Sequence, residues 1–429
     1  MKKMILLGVV GVMATSMAMA QTSNSSTVNQ SGNNNASLEQ YGVNTSNISQ
    51  TSEEADVANT ATVFQIGGEN ESTITTVGDG NTVDVNQRGL NDEDPNTDIG
   101  YGNIATVEQS GDGNSAIVDT DGDMNVANID QEGDNNEATV DQGGGYAQRN
   151  QGNIEQVGTA NSAIVTQRQD ENAAIVYQEG EDNTGTIYQN TRRNEPAVGS
   201  YAELVQVGVS NHSMIEQQGE QNGAGSWAFG NTNASTINQL GNTNEALVFL
   251  GAYPFGPITG GDNNDASIGQ TGNINFAGIA QAGDGNTGSI IQTGDQNWAG
   301  LVQEHSDEGT ITQDGDDYTD GYQAGTGEGN LATIDQMDGA NEVNFGQYGE
   351  LNQMTIFQGG GDNYAVAYQD GVGSTATITQ IGDLNESYSL QSVGANTLNI
   401  MQTGNGNMSD ISQNGANSAN VTQNSSAGF

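Results

Sequence analysis

Cysteine and histidine, the side chains suited to thiolate nucleophile, zinc ligand or base near neutral pH, are scarce in this chain of 429 residues. There is no cysteine, and the two histidines, His212 and His305, stand alone. A disulfide framework, a zinc site and a cysteine nucleophile are therefore excluded, and each histidine reads as a surface residue. Carboxylates are the opposite case: 54 acidic residues face seven basic ones, so acidic pairs occur everywhere and mark no catalytic constellation. The abundant functional group is the carboxamide, with 53 asparagines and 38 glutamines. An amide both donates and accepts, so identical amides stacked in a row can bond to one another, the one arrangement in which burying them is inexpensive. The chemistry on offer is structural, and no enzyme is expected.

The spacing of these amides carries the rest of the reading. Gln336, Gln347, Gln358, Gln369, Gln380, Gln391, Gln402 and Gln413 follow one another at steps of eleven with no gap, and Gln353 is the sole glutamine of that stretch outside the series. Gln270, Gln281, Gln292 and Gln303 repeat the step, as do Gln156, Gln167, Gln178 and Gln189. Each unit reads Asn-x-small-x-branched-x-Gln-x-Gly-x-x, as in Asn103-Ile-Ala105-Thr-Val107-Glu-Gln109-Ser-Gly111. Asn136 with Gln142, Asn161 with Gln167 and Asn172 with Gln178 have the same frame. About 35 such units lie between Asn24 and Gln423, and 29 of the 38 glutamines fall in one slot, a phase that a disordered polar tract has no reason to keep. Thr76, Thr120, Ala228, Leu250 and Ala324 are read as replacements of that glutamine, with Asp98 closing the weakest unit.

Asn, small residue, branched residue, Gln and Gly sit at alternate positions, which is the period of a β-strand with these residues on one face. Eleven is odd, so an uninterrupted strand would turn every second unit inside out and must be broken once per unit. Segments such as Gly111-Asp-Gly-Asn114 and Gly294-Asp-Gln-Asn297 supply the break. The expected fold is all-β, a cross-β solenoid of about 17 two-strand rungs of 22 residues, each strand pairing with its equivalent above and below at roughly 4.8 Å. Asn103, Gln109, Gly111, Asn136, Gln142, Asn161, Gln167, Asn172, Gln178 and the two glutamine series starting at Gln270 and Gln336 are the expected ladder.

Residues 1–20 differ from all that follows: Lys2 and Lys3 precede an apolar run, and Ala18-Met19-Ala20 makes a cleavage signal, so an export leader is expected. Residues 21–60 read as degenerate repeats, 61–423 as the solenoid, and 424–429 as a tail. Insertions near 143–152, 190–202 and 251–263 are expected at turns, and Pro95 suggests a locally broken edge. No later stretch is long and apolar enough for a membrane span.

The unit Ser374-x5-Gln380-x-Gly382-x-x-Asn385-x-Ser387-x3-Gln391 resembles the curlin repeat of bacterial curli subunits, with Ser387 where the family usually has alanine. Gln131-x-Gly133-x-x-Asn136-x-Ala138-x3-Gln142 and Gln358-x-Gly360-x-x-Asn363-x-Ala365-x3-Gln369 carry the alanine. The resemblance implies an extracellular functional amyloid that polymerises with itself into fibres for biofilm matrix and adhesion. It further implies a nucleator and a dedicated outer-membrane secretion pore as partners. The chain departs from familiar curlins in its many repeats, in asparagine where serine is common, and in its acidity.

The net charge of -47 argues against nucleic acid as a partner. Without the leader it is 5 arginines against 54 acids, or -49, about one charge per 1.6 Å of an 80 Å rod and close to duplex DNA at about 1.7 Å. Assembly should therefore accelerate with salt, and more with Ca²⁺ or Mg²⁺. The acidic segments Asp119–Asp123 and Asp314–Asp317 offer loose divalent-cation binding, although solvation explains them as well. No cofactor is implied. Alternatives are a soluble calcium- or ice-binding solenoid, or a secreted β-helix enzyme acting on polysaccharide. The nine-residue Gly/Asp period of the first is absent, the outward positions vary where the second needs a regular threonine array, and an almost lysine-free repeat lacks the enzyme's cleft of basic and acidic groups.

Overall fold

The computed structural model describes residues 24–52, 57–89, 102–191, 198–251, 261–324 and 329–425. The leader, Pro95 with its weak unit, Arg192, Arg193, Pro196, most of the 251–263 insertion and the last four residues lie outside these. The chain divides into two compact units, the first running to Asp182 and the second comprising Asn183–Thr191 and the chain from Val198. Both are parallel β-solenoids; with no helix among the described residues, 32 strands make about 17 turns of about 22 residues.

Beyond Asn59–Val77 a strand pairs with the strand two places along the chain, so successive strands alternate between two sheets, whereas Ser25–Ser31, Asn34–Thr51 and Asn59–Val77 pair in succession because the two longer strands each cover two sides of a rung. In the second unit, Gln353–Gly359 pairs in parallel with Thr375–Ile381, and that strand with Thr397–Gly404. The register matches like to like: Ile356 faces Ile378 and Ile400, and Gln358 faces Gln380 and Gln402. In the first unit Ala116, Ala138 and Ala163 align, as do Val118, Val140 and Val165. Branched residues suit the pleat and the small residue beside them lets the two sheets close, so these side chains form the core.

Corners need two left-handed residues. Gly111 (φ 112°) shows why one is glycine: a Cβ there would lie 2.2 Å from the carbonyl oxygen of Gly133 in the next rung. The other, just before the asparagine, is often not glycine; Thr232, Thr243 and Ile274 all have φ near 57°. Such β-branched residues are strained in this region, and the rung below holds them through bonds such as Ile274 N–H to Asn242 O at 3.0 Å. The expected break per unit is thus a change of dihedral angle: strands Asn34–Thr51 and Asn59–Val77 each run through a corner, where their register shifts by one residue, from Val43 opposite Gly68 to Thr45 opposite Glu71.

Two sequence readings are corrected. Gln323, not its replacement Ala324, occupies the ladder slot, because the units from Asn297 to Asp307 and from Asp307 to Asp317 each have ten residues; Ala324 faces outward. Asp119 and Asp317 do not belong to acidic turns: Asp119 is an outward residue within strand Ser115–Asp123, and Asp317 is buried in an asparagine slot.

Candidate functional site: stacked amide columns and open terminal rungs

The inward amides line up in columns along each solenoid. In the second unit one column runs Gln189, Gln217, Gln239, Gln270, Gln292, Gln313, Gln336, Gln358, Gln380, Gln402, Gln423. Every Nε2 donates to the next Oε1 at 2.8–3.1 Å. The column on the other sheet links Gln281, Gln303, Gln323, Gln347, Gln369, Gln391 and Gln413 in the same way, at 2.8–3.0 Å. The second Nε2 hydrogen crosses the rung: Gln391 donates to the backbone carbonyl of Thr375 at 3.1 Å, and Gln380 to that of Tyr364 at 3.1 Å. Each glutamine therefore staples the two sheets as well as successive rungs, a cross-tie that spacing alone does not reveal.

The first unit repeats the pattern in shorter runs. Gln109 donates to Gln131 at 2.8 Å, and Gln156 continues the run to Gln178 at 2.8 Å. Gln142 donates to Gln167 at 2.9 Å, and Gln167 crosses to the carbonyl of Gln151 at 2.9 Å. These column glutamines are buried, while Gln151, which contributes only its carbonyl, is exposed.

Asparagines form the corners. Asn136 Oδ1 accepts the backbone N–H of Asn161 at 3.0 Å, and Asn161 Nδ2 donates to the corner carbonyl of Gly180 at 3.1 Å. Asn103 Nδ2 donates to Gly122 O at 2.8 Å, and Asn172 binds Asn150 Oδ1 through its N–H at 2.9 Å and Arg168 O through Nδ2 at 3.0 Å. The side chain thus satisfies backbone groups that a turn would otherwise leave open.

Faults in the columns are visible as unpartnered atoms. Thr76 stands between Gln50 and Gln109, and Gln50 Nε2, Thr76 Oγ1 and Gln109 Oε1 all lack a partner. Thr120 precedes Gln142, leaving Thr120 Oγ1 and Gln142 Oε1 open, and Leu250 precedes Gln281, leaving Gln281 Oε1 open. The asparagine columns of the second unit change type where serine takes the slot, at Ser200 and Ser374, and where aspartate does: Asp307 and Asp317 accept the N–H and Nδ2 of Asn330 and Asn341 at 2.8–3.1 Å. Burial pushes both carboxyl groups up to about 6, against bonds from Asn330 and Asn341 that favour the charged form.

The last rungs are open. Ile378 and Ile400 are fully enclosed, whereas Ile411 and Val421 in the same inward slot are half-buried. At the chain's start Val28 and Leu38 are likewise half-buried. Among the described residues, Met408–Asn414 pairs only with Glu386–Ser392, and Ser418–Ser425 only with Thr397–Gly404, so each has one edge of backbone groups without a strand.

His212 and His305 are exposed. Among the described residues no three acidic or histidine side chains are grouped to hold a metal ion, and Asp141, beside Asp119, is clamped by Arg168 at 2.7 and 2.9 Å. No helix among them is long and apolar enough to cross a membrane.

Residues 58–89, 100–133, 261–294 and 349–382 match the family model described as the curlin associated repeat. No curated protein sequence matches the chain.

Proposed function

We propose, from a chain that belongs by these repeats to the curlin-repeat family, that it is a structural subunit polymerising end to end into extracellular fibres of a biofilm matrix. The observation that carries this reading is the pair of open terminal rungs. Their inward slots keep the repeat type, with Val421 and Gln423 at one end and Val28 and Gln30 at the other, so the last rung of one subunit matches the first rung of the next. An unpaired strand edge is a template for another strand, and here amide columns and backbone ladders would continue together across the joint.

In this reading the amide columns set the register of the joint as they set it inside the subunit. Residues 1–20 are the export leader, and the partners are other copies, a nucleator and a secretion pore. No catalytic role is proposed.

The test is to purify residues 21–429, dilute from denaturant at micromolar concentration and follow assembly by electron microscopy. Fibres with a meridional repeat near 4.8 Å are expected. The variant Val421→Lys places an inward charge in the terminal rung alone; it should keep the β-rich circular dichroism spectrum and lose fibre growth. A wild-type chain that folds and stays monomeric would overturn the proposal.

A further inference from the structure

The two sheets of the second unit expose different outer surfaces. On one, the central outward slot reads Thr236, Ser267, Ser289, Thr310, Thr333, Thr355, Thr377, a column of hydroxyls with no aromatic ring. The other is aromatic and glycine-rich. Trp227 stacks on Phe249 with centroids 4.6 Å apart, and Phe276, Trp298 and Tyr318 form a second stack at 5.5 and 4.6 Å.

Glycines beside these rings leave a trough. A Cβ on Gly225 would lie 2.1 Å from Trp227 Cη2, and one on Gly300 3.0 Å from Trp298 Cη2, so both indoles lie along the sheet above glycines and do not stand out from it. At Gly223 a Cβ would meet nothing within 4 Å. The result is a hollow of about 320 Å³ between Tyr201, Trp227 and Leu247, rimmed by Gln221 and Glu245.

We propose that this trough binds a neutral polysaccharide chain. Ring edges, and the end face of the Trp227 stack beside the hollow, offer an apolar surface to the C–H faces of a sugar, while rim amides and carboxylates suit its hydroxyls. Within each stack the outer ring edges follow one another at about the strand spacing of 4.8 Å, an apolar strip along which a linear polymer can lie. Charge selects among occupants: with 54 acidic residues in the chain, an anionic polymer or the same face of a second copy is repelled, and an uncharged one is not. The inference does not depend on polymerisation, because the trough is complete within one chain.

Both tryptophans of the protein lie on this surface, so emission excited selectively from tryptophan, and not from the 13 tyrosines, reports on it. The full chain is titrated with hydroxyethyl cellulose and, separately, with polygalacturonate, following emission and retardation in native gels containing each polymer. A saturable emission change and retardation are expected with the neutral glucan and neither with the anionic one. Gly223→Leu fills the hollow where the fold has space for a side chain. It should leave circular dichroism unchanged and weaken glucan binding about tenfold, as should Phe249→Leu combined with Tyr318→Leu. Absence of glucan binding, equal binding of polygalacturonate, or unchanged affinity in both variants overturns the proposal. So does an emission change that follows protein concentration without polymer, which would assign the trough to a second copy.

Discussion

Within the second unit, one glutamine column is unbroken from Gln189 to Gln423, and the other is interrupted where Ala228 and Leu250 take the slot. The first unit adds a third case, in which threonine takes it at positions 76 and 120. The apolar interruption leaves an unpartnered acceptor on Gln281, and the threonine at 76 leaves three unpartnered atoms, its own hydroxyl among them. Residue size and polarity both matter: leucine asks for no partner, whereas threonine asks for one and is too short to reach it. A ladder slot is thus better abandoned to hydrocarbon than half-filled by a polar group.

The largest effect should come from breaking the unbroken column. Gln358→Thr opens the acceptor of Gln380, removes the donor's cross-tie to Glu342 and leaves a void, costing about 3 kcal/mol. Urea denaturation, with midpoint and slope both measured, checks this. Next come the asparagine columns, interrupted by Asp307 and Asp317. Both carboxyls are raised from 3.8 to about 6 in the fold. Their relative stabilisation is therefore full below pH 3.8 and is lost as pH rises through about 6. Asp307→Asn and Asp317→Asn should each add about 2 kcal/mol at pH 7, nothing at pH 3.5, and flatten the profile between. A gain independent of pH would show that burial of charge is not the cause.

Repair should have a smaller effect. Thr76→Gln reconnects Gln50 and Gln109, satisfies both unpartnered atoms and removes the third, for about 1–2 kcal/mol in the same urea assay. Leu250→Gln is expected within about 0.5 kcal/mol of the parent, since it serves Gln281 but faces Ala228 on its other side, exchanging one unpartnered atom for another.

The sequence makes the rung legible because period two within a unit and eleven between units leave few ways to bury an amide. Ile356, Gln358 and Gly360 could be assigned to strand and corner without coordinates. Gln323 could not: two ten-residue units shift the phase, and only the pairing with Gln303 and Gln347 places it. The aromatic surface was equally hidden. Trp227 and Phe249 are separated along the chain by a strand of the other sheet, as are Phe276 and Trp298, so each pair aligns only once alternate strands are stacked. The cross-rung bonds of the glutamines escape the sequence for the same reason, joining residues 16 apart on opposite sheets.

Side-chain amide hydrogen exchange, resolved by NMR for individual glutamines, tests the central claim most directly. Gln358 and Gln380 should keep their Nε2 hydrogens for as long as the surrounding backbone keeps its own, while exposed Gln296 and Gln353 exchange at the rate of a free amide. Equal, fast exchange at all four would contradict a solenoid held in register by its buried amide columns.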